Sequence, residues 1–109
     1  MIDWTRAEEL RREVGEEDFP EVVEIFLEEV DELFDRLSDA ADNGTLSDDL
    51  HFLKGSAASL GFVGLSALCE AGEHACASGN AGGVSVDGLR AEYLAARGIF
   101  LERFAPRAA

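Results

Sequence analysis

Helix breakers are scarce in this 109-residue sequence: Pro20 and Pro106 are its only prolines, so residues 21 to 105 contain no obligatory interruption. Cysteine is scarce too. Cys69 and Cys76 lie seven positions apart, which on one helix separates their Cα atoms by about 10 Å, too far for a disulfide. The thiols are therefore expected to be reduced and the chain cytoplasmic. Bases are outnumbered, 9 against 23 acids, for a net charge of −14. Such a molecule is repelled by the phosphates of nucleic acid and of anionic membranes, which leaves a protein as the natural partner. No apolar run approaches the length of a membrane span, and the start MIDWTRAEEL has neither the basic nor the apolar region of a signal peptide, so neither export nor anchoring is expected.

What is present is apolar residues, 47% of the chain, recurring at three- and four-residue steps. That period predicts an all-α fold. The length matches one compact soluble domain over residues 1–109, with enough buried surface to fold without metal or disulfide staples. There is no internal repeat and no low-complexity segment. The acid excess is confined to residues 1–49, with 18 acids and 4 bases, whereas residues 50–109 hold 5 of each.

Thr5 and Glu8 match a capping box for a short first helix through Trp4, Ala7, Leu10 and Val14, which Gly15 ends. Asp18 and Pro20 open a long second helix. Its apolar stripe runs Val22/Val23, Phe26, Val30, Leu33/Phe34, Leu37 and Ala41, and Glu17, Glu21, Glu24, Glu28, Asp31, Asp35 and Asp42 form its solvated faces. Gly44 stops it, and Thr45 with Asp48 offers a capping box for a third helix reaching Leu60. Gly61 and Gly64 bracket a turn. The fourth helix turns Leu65, Leu68, Cys69, Ala75 and Cys76 inward and ends in SGNAGG at 78–83; the last reads Val86, Leu89, Tyr93, Ala96, Phe100 and Phe104. Four long amphipathic segments with short connections predict an antiparallel four-helix bundle carrying a short extra N-terminal helix.

The third helix is the informative one. Its stripe of Leu46, Leu50, Leu53, Ala57 and Leu60 leaves His51 pointing ~140° away, toward solvent. Ser47, Gly55 and Ala58 share that outward side. Lys54, the only lysine, sits one turn on at i+3, where its ammonium can meet a group attached to the imidazole. Gly55 costs a helix interior about 1 kcal/mol relative to alanine, and such a cost beside an outward histidine points to close approach by something large. A neutral imidazole is a nucleophile near pH 7, and a phosphoryl group on it gains from a neighbouring ammonium.

The stretch HFLKGSAASLGFVGLSALCEAGEHA, from His51 to Ala75, resembles the histidine-containing phosphotransfer (HPt) domains of two-component phosphorelays. Their signature is His-x-Leu-Lys-Gly-Ser-Ala/Ser, then Leu-Gly, then a Leu-x-x-Leu-Cys helix. His51, Leu53, Lys54, Gly55, Ser56, Ala57, Leu60, Gly61, Leu65, Leu68, Cys69 and Glu73 match it, and the resemblance covers nearly the whole chain, weakest over residues 80–109. Two positions depart from it: Leu50 stands where the family often has a small residue, and Gly72, expected to loosen packing, stands where it usually has a leucine.

The resemblance implies that His51 accepts a phosphoryl group on Nε2 from a receiver domain's aspartyl phosphate and returns it to another. Lys54 and Ser56 then steady the phosphate, while Ser47, Gly55, Ala58 and Phe62 form the surface open to the partner. The partners implied are response-regulator receiver domains or a hybrid sensor histidine kinase, with the chain itself a monomer. The receiver supplies the Mg²⁺. The chain has no nucleotide-binding glycine motif, which makes it a phosphoryl carrier without its own ATP site.

Other chemistries are poorer readings. His51, Cys69, His74 and Cys76 are the only soft metal ligands, and the cysteines share the buried stripe while His74 points elsewhere, so no metal site is expected. No GxSxG elbow or Cys/His signature of a hydrolase occurs. The serious rival is a non-catalytic acidic helical adaptor that binds a signalling partner through the second helix, with His51 incidental.

Gly55 separates these two readings. Gly55→Ala is expected to raise stability by up to about 1 kcal/mol, as for any exposed helix interior, yet to slow phosphoryl transfer, because the new methyl projects ~40° from His51 on the wheel. Urea unfolding together with transfer from a phosphorylated receiver checks both halves. Wild-type transfer rates in Gly55→Ala and in Gly55→Leu remove the close-approach argument.

Overall fold

The computed structural model describes residues 1–37 and 43–104. These form five α-helices, α1 (Trp4–Val14), α2 (Phe19–Leu37), α3 (Asn43–Leu60), α4 (Val63–Ala77) and α5 (Val86–Arg103), with a 3₁₀ turn at Ala81–Gly83. Helices α2 to α5 make the expected antiparallel bundle, and α1 is the extra helix. Among the described residues there is no strand, and no helix is long and apolar enough to cross a membrane. Ala41 and Asp42, assigned to the second helix from the sequence, lie outside the described residues.

Several helix ends differ from expectation. Helix α1 is capped by Asp3, whose carboxylate accepts from the Arg6 N–H at 3.2 Å, and Thr5 falls inside the first turn. Aspartate is at least as good a cap as threonine, and Asp3 is also tied down by its own N–H, which donates to the Gly61 carbonyl at 2.7 Å. Helix α3 begins at Asn43, so Gly44 and Thr45 lie in its first turn rather than before it. A glycine is cheap there, where the backbone N–H groups have no intrahelical partner to lose. Gly61 alone makes the next turn, at φ +86, and a Cβ on it would stand 2.5 Å from the Asp3 carbonyl oxygen. Gly64 lies already within α4.

One core joins all five helices. Phe100 sits among the rings of Trp4, Phe62 and Phe104 at 6.2, 5.3 and 5.2 Å, and the Tyr93 hydroxyl crosses from α5 to donate to Asp31 of α2 at 2.7 Å. Phe62, expected on the partner surface, is fully buried, because the turn after α3 folds its ring back between Tyr93 and Phe100. Leu68, expected inward, is 43% exposed: the buried stripe of α4 is Leu65, Cys69, Gly72 and Cys76, and Leu68 lies at its edge. Phe26 is likewise half-buried at the margin of the α2 stripe, while Leu27 takes an inward position.

Helices α3 and α4 pack closely, and the two departures from the family pattern explain how. Leu50 is completely buried, and a Cβ built on Gly72 would lie 2.8 Å from its Cδ1. The large residue on α3 occupies the room left by the missing side chain on α4, so Gly72 does not loosen this contact. Beyond it, Gly72 also borders an open apolar groove with Leu68, Val84 and Leu89.

Leu50 and Gly72 are therefore expected to be strongly coupled. Leu50→Ala should cost about 2–5 kcal/mol and Gly72→Leu about 1–3 kcal/mol from overpacking. The double variant should be more stable than their sum predicts by more than about 1 kcal/mol. Urea unfolding of the four proteins measures this, and additive losses would show that the two side chains do not share one space.

Candidate functional site

Helix α3 buries Leu46, Leu50, Leu53, Ala57 and Leu60, which turns His51 outward with its side chain 75% exposed. This is the orientation the wheel predicts. Gly55 and Ala58 are exposed and Ser47 is half-buried on the same side. Gly55 has ordinary helical surroundings and nothing within 4 Å of where a Cβ would be, so packing does not require a glycine there. Ser56, expected at the phosphate, is only 7% exposed and lies ~140° around the helix from His51. It is largely taken up in the packing of α3, although it lines the same shallow depression as His51.

The acid that completes the site comes from the neighbouring helix. Glu73 of α4 places Oε2 3.2 Å from His51 Nδ1 and Oε1 2.9 Å from Lys54 Nζ. The hydrogen bond from Lys54 holds the Glu73 carboxyl below its ordinary range against the opposing effect of burial, and the contact with His51 adds to it. Glu73 in turn raises the Lys54 ammonium above its usual value. An ionised carboxylate only accepts, so the contact is a hydrogen bond when Nδ1 carries the proton. Nε2 is then the nitrogen with the free lone pair.

Beneath this pair lies Cys69, whose thiol is pushed up to about 12, first by burial and then by Glu73. It stays protonated and inert. Cys76 is also buried and His74 is exposed; among the described residues no three His, Cys, Asp or Glu side chains gather as metal ligands.

On the other side of His51, toward α2, a shallow depression is lined by Phe26, Phe52, Gly55, Ser56 and Ser59. Phe52 is 46% exposed. Sequence reasoning missed both this surface and the role of Glu73. The signal for Phe52 was available, since the wheel puts it ~120° from the centre of the α3 stripe. For Glu73 the available hint was weaker: the lone lysine needs a counter-charge, and Glu70 and Glu73 are the only acids between Leu50 and Asp87.

The lowered Glu73 carboxyl fixes the sign of a pH effect. Its stabilisation is complete above the unfolded carboxylate value of about 4.3 and is lost as pH falls through the lower folded value. Wild type should therefore exceed Glu73→Gln in stability at neutral pH, with the gap closing only on the acid side of that value. Urea midpoints measured from neutral to acid pH test it, and a gap independent of pH would show that the ionised carboxylate contributes nothing.

Comparison with known proteins adds a family to this geometry. No curated protein and no solved structure gives a match. The family model described as Hpt domain matches residues 21–99, a span that begins on α2, contains all of α3 and α4, and ends within α5. The chain belongs to the Hpt domain family.

Proposed function

We propose that this chain is a phosphoryl carrier in a two-component phosphorelay, with His51 Nε2 as the acceptor between aspartyl-phosphate receiver domains. The observation that carries the reading is the pairing of His51 Nδ1 with Glu73 at 3.2 Å, on a helix face left bare at Gly55. Membership of the Hpt family supports it.

The chemistry follows from those contacts. The Nε2 lone pair attacks the phosphorus of the aspartyl phosphate, and the P–O bond breaks with its electron pair leaving on the aspartate. The imidazole, now bonded at Nε2 and still protonated at Nδ1, carries a positive charge directed at the Glu73 carboxylate. Glu73 thus orients the ring and stabilises the cation that forms, as a carboxylate does for a histidine base in acyl transfer. The Lys54 ammonium, 2.9 Å from the same carboxylate, lies within one turn of His51 and shifts toward the phosphoryl oxygens. Return of the phosphoryl group to a second receiver reverses these steps. The Mg²⁺ that assists in-line transfer is assigned to the receiver, and the chain needs no nucleotide of its own.

His51→Gln should fold as wild type and take up no phosphate from a labelled receiver. Lys54→Ala should slow transfer by about tenfold or more, with receiver affinity and stability nearly unchanged. Labelling that persists in His51→Gln would refute the assignment and turn attention to His74. Equal transfer rates for Lys54→Ala and wild type would make Lys54 a surface charge only.

A further inference from the structure

We propose that the surface on the α2 side of His51 selects its receiver by charge: the partner that fits there presents an apolar contact ringed by lysine or arginine side chains. The proposal rests on the phosphotransfer reading and deepens it by naming the chemistry of the partner. Phe52 is 46% exposed and Ile25 of α2 is 49% exposed, and Phe26 lines the depression that adjoins His51 and Gly55. Apolar side chains that share a depression with His51, with exposed Ile25 next to Phe26 in sequence, mark the centre of a contact.

The rim is set by the helical repeat of α2. Ile25, Glu29, Glu32 and Arg36 follow one another at i, i+4, i+7 and i+11, one ridge of the helix. Arg36 reaches Asp49 of α3 at 3.4 Å, which fixes that ridge as the one bordering α3 and the depression. Glu29 and Glu32 on it are exposed, as is Asp48, one turn before His51. The ridge of Glu24, Glu28, Asp31 and Asp35 lies ~100° around the helix, on the α5 side, because Asp31 receives the Tyr93 hydroxyl at 2.7 Å and stands 3.7 Å from Arg97, both on α5. Two acidic ridges thus run along one helix, and only one of them meets the docking patch. The cations nearest that patch are already matched, Arg36 by Asp49 and Lys54 by Glu73, so the rim is left anionic. A basic partner face is steered toward it and an acidic one is repelled.

The test compares two charge reversals of equal size. Glu29→Lys with Glu32→Lys, and Glu24→Lys with Glu28→Lys, change the net charge identically, so any difference between them reports position. The probe is the receiver domain, from a panel phosphorylated with labelled phosphate, that labels wild-type His51 fastest; affinity and transfer rate are measured at low and high salt. The Glu29/Glu32 reversal should weaken binding about tenfold at low salt with the loss shrinking at high salt, and the Glu24/Glu28 reversal should change it about twofold or less. Ile25→Ser should weaken binding about tenfold at both salt concentrations. Equal effects of the two reversals, or a Glu29/Glu32 effect indifferent to salt, would overturn the proposal while leaving the phosphotransfer reading intact. Failure of every receiver to label the wild-type chain would instead overturn that reading, and the proposal with it.

Discussion

The close approach of α3 and α4 at Leu50 and Gly72 is the constraint on which the site depends. A glutamate side chain is short, and it reaches both an imidazole and an ammonium on another helix only when the two backbones lie close together. Leu50 immediately precedes His51, and Gly72 immediately precedes Glu73. The absence of a side chain at 72 admits the Leu50 methyls, and the residues next in sequence carry the contact from the core to the surface. The same geometry that fills the interior sets the 3.2 Å and 2.9 Å distances at Glu73.

Charge is arranged around that contact with some economy. The chain carries −14 overall, yet its candidate site combines one lysine, one glutamate and one histidine. Three of the arginines are committed elsewhere: Arg90 donates to the Phe34 carbonyl at 2.9 Å, Arg97 stands near Asp31, and Arg6 is held by Glu9 and Glu13. Lys54 is the cation placed within a turn of the His51 imidazole. Surface ion pairs contribute little to stability, so the value of the Lys54–Glu73 pair lies in holding an ammonium and an imidazole in a fixed relation.

Much of this could be read from the sequence, and the parts that could not share a physical reason. The helical period determines which way each residue faces within its own helix, so the outward His51, the inward Leu53 and Leu60, and the buried Tyr93 and Phe100 follow from spacing alone. It says nothing about the register between helices, and Glu73 meets His51 only through that register. Phe62 was misplaced because it lies in a turn, where no period applies and the chain reversal at Gly61 decides its direction. Leu68 and Phe26 sit at stripe edges, where a shift of one neighbouring helix decides burial. The start of α1 differs from the expected one because Asp3 and Thr5, both good capping residues, stand two positions apart.

The choice between a carrier and a passive adaptor turns on where the fold departs from its own rules. Much of the chain follows them: the core stripes are buried, and the glycines at 61 and 72 are required by a positive φ or a close contact. Around His51 several departures come together. Gly55 weakens a helix interior with no packing reason, Phe52 leaves large apolar surface in water, and a carboxylate orients an exposed imidazole. An adaptor that bound through the acidic outer ridge of α2 would require none of these. Departures from local rules collect where function imposes them, and here a bare helix position, an exposed phenylalanine and an orienting carboxylate meet at one imidazole.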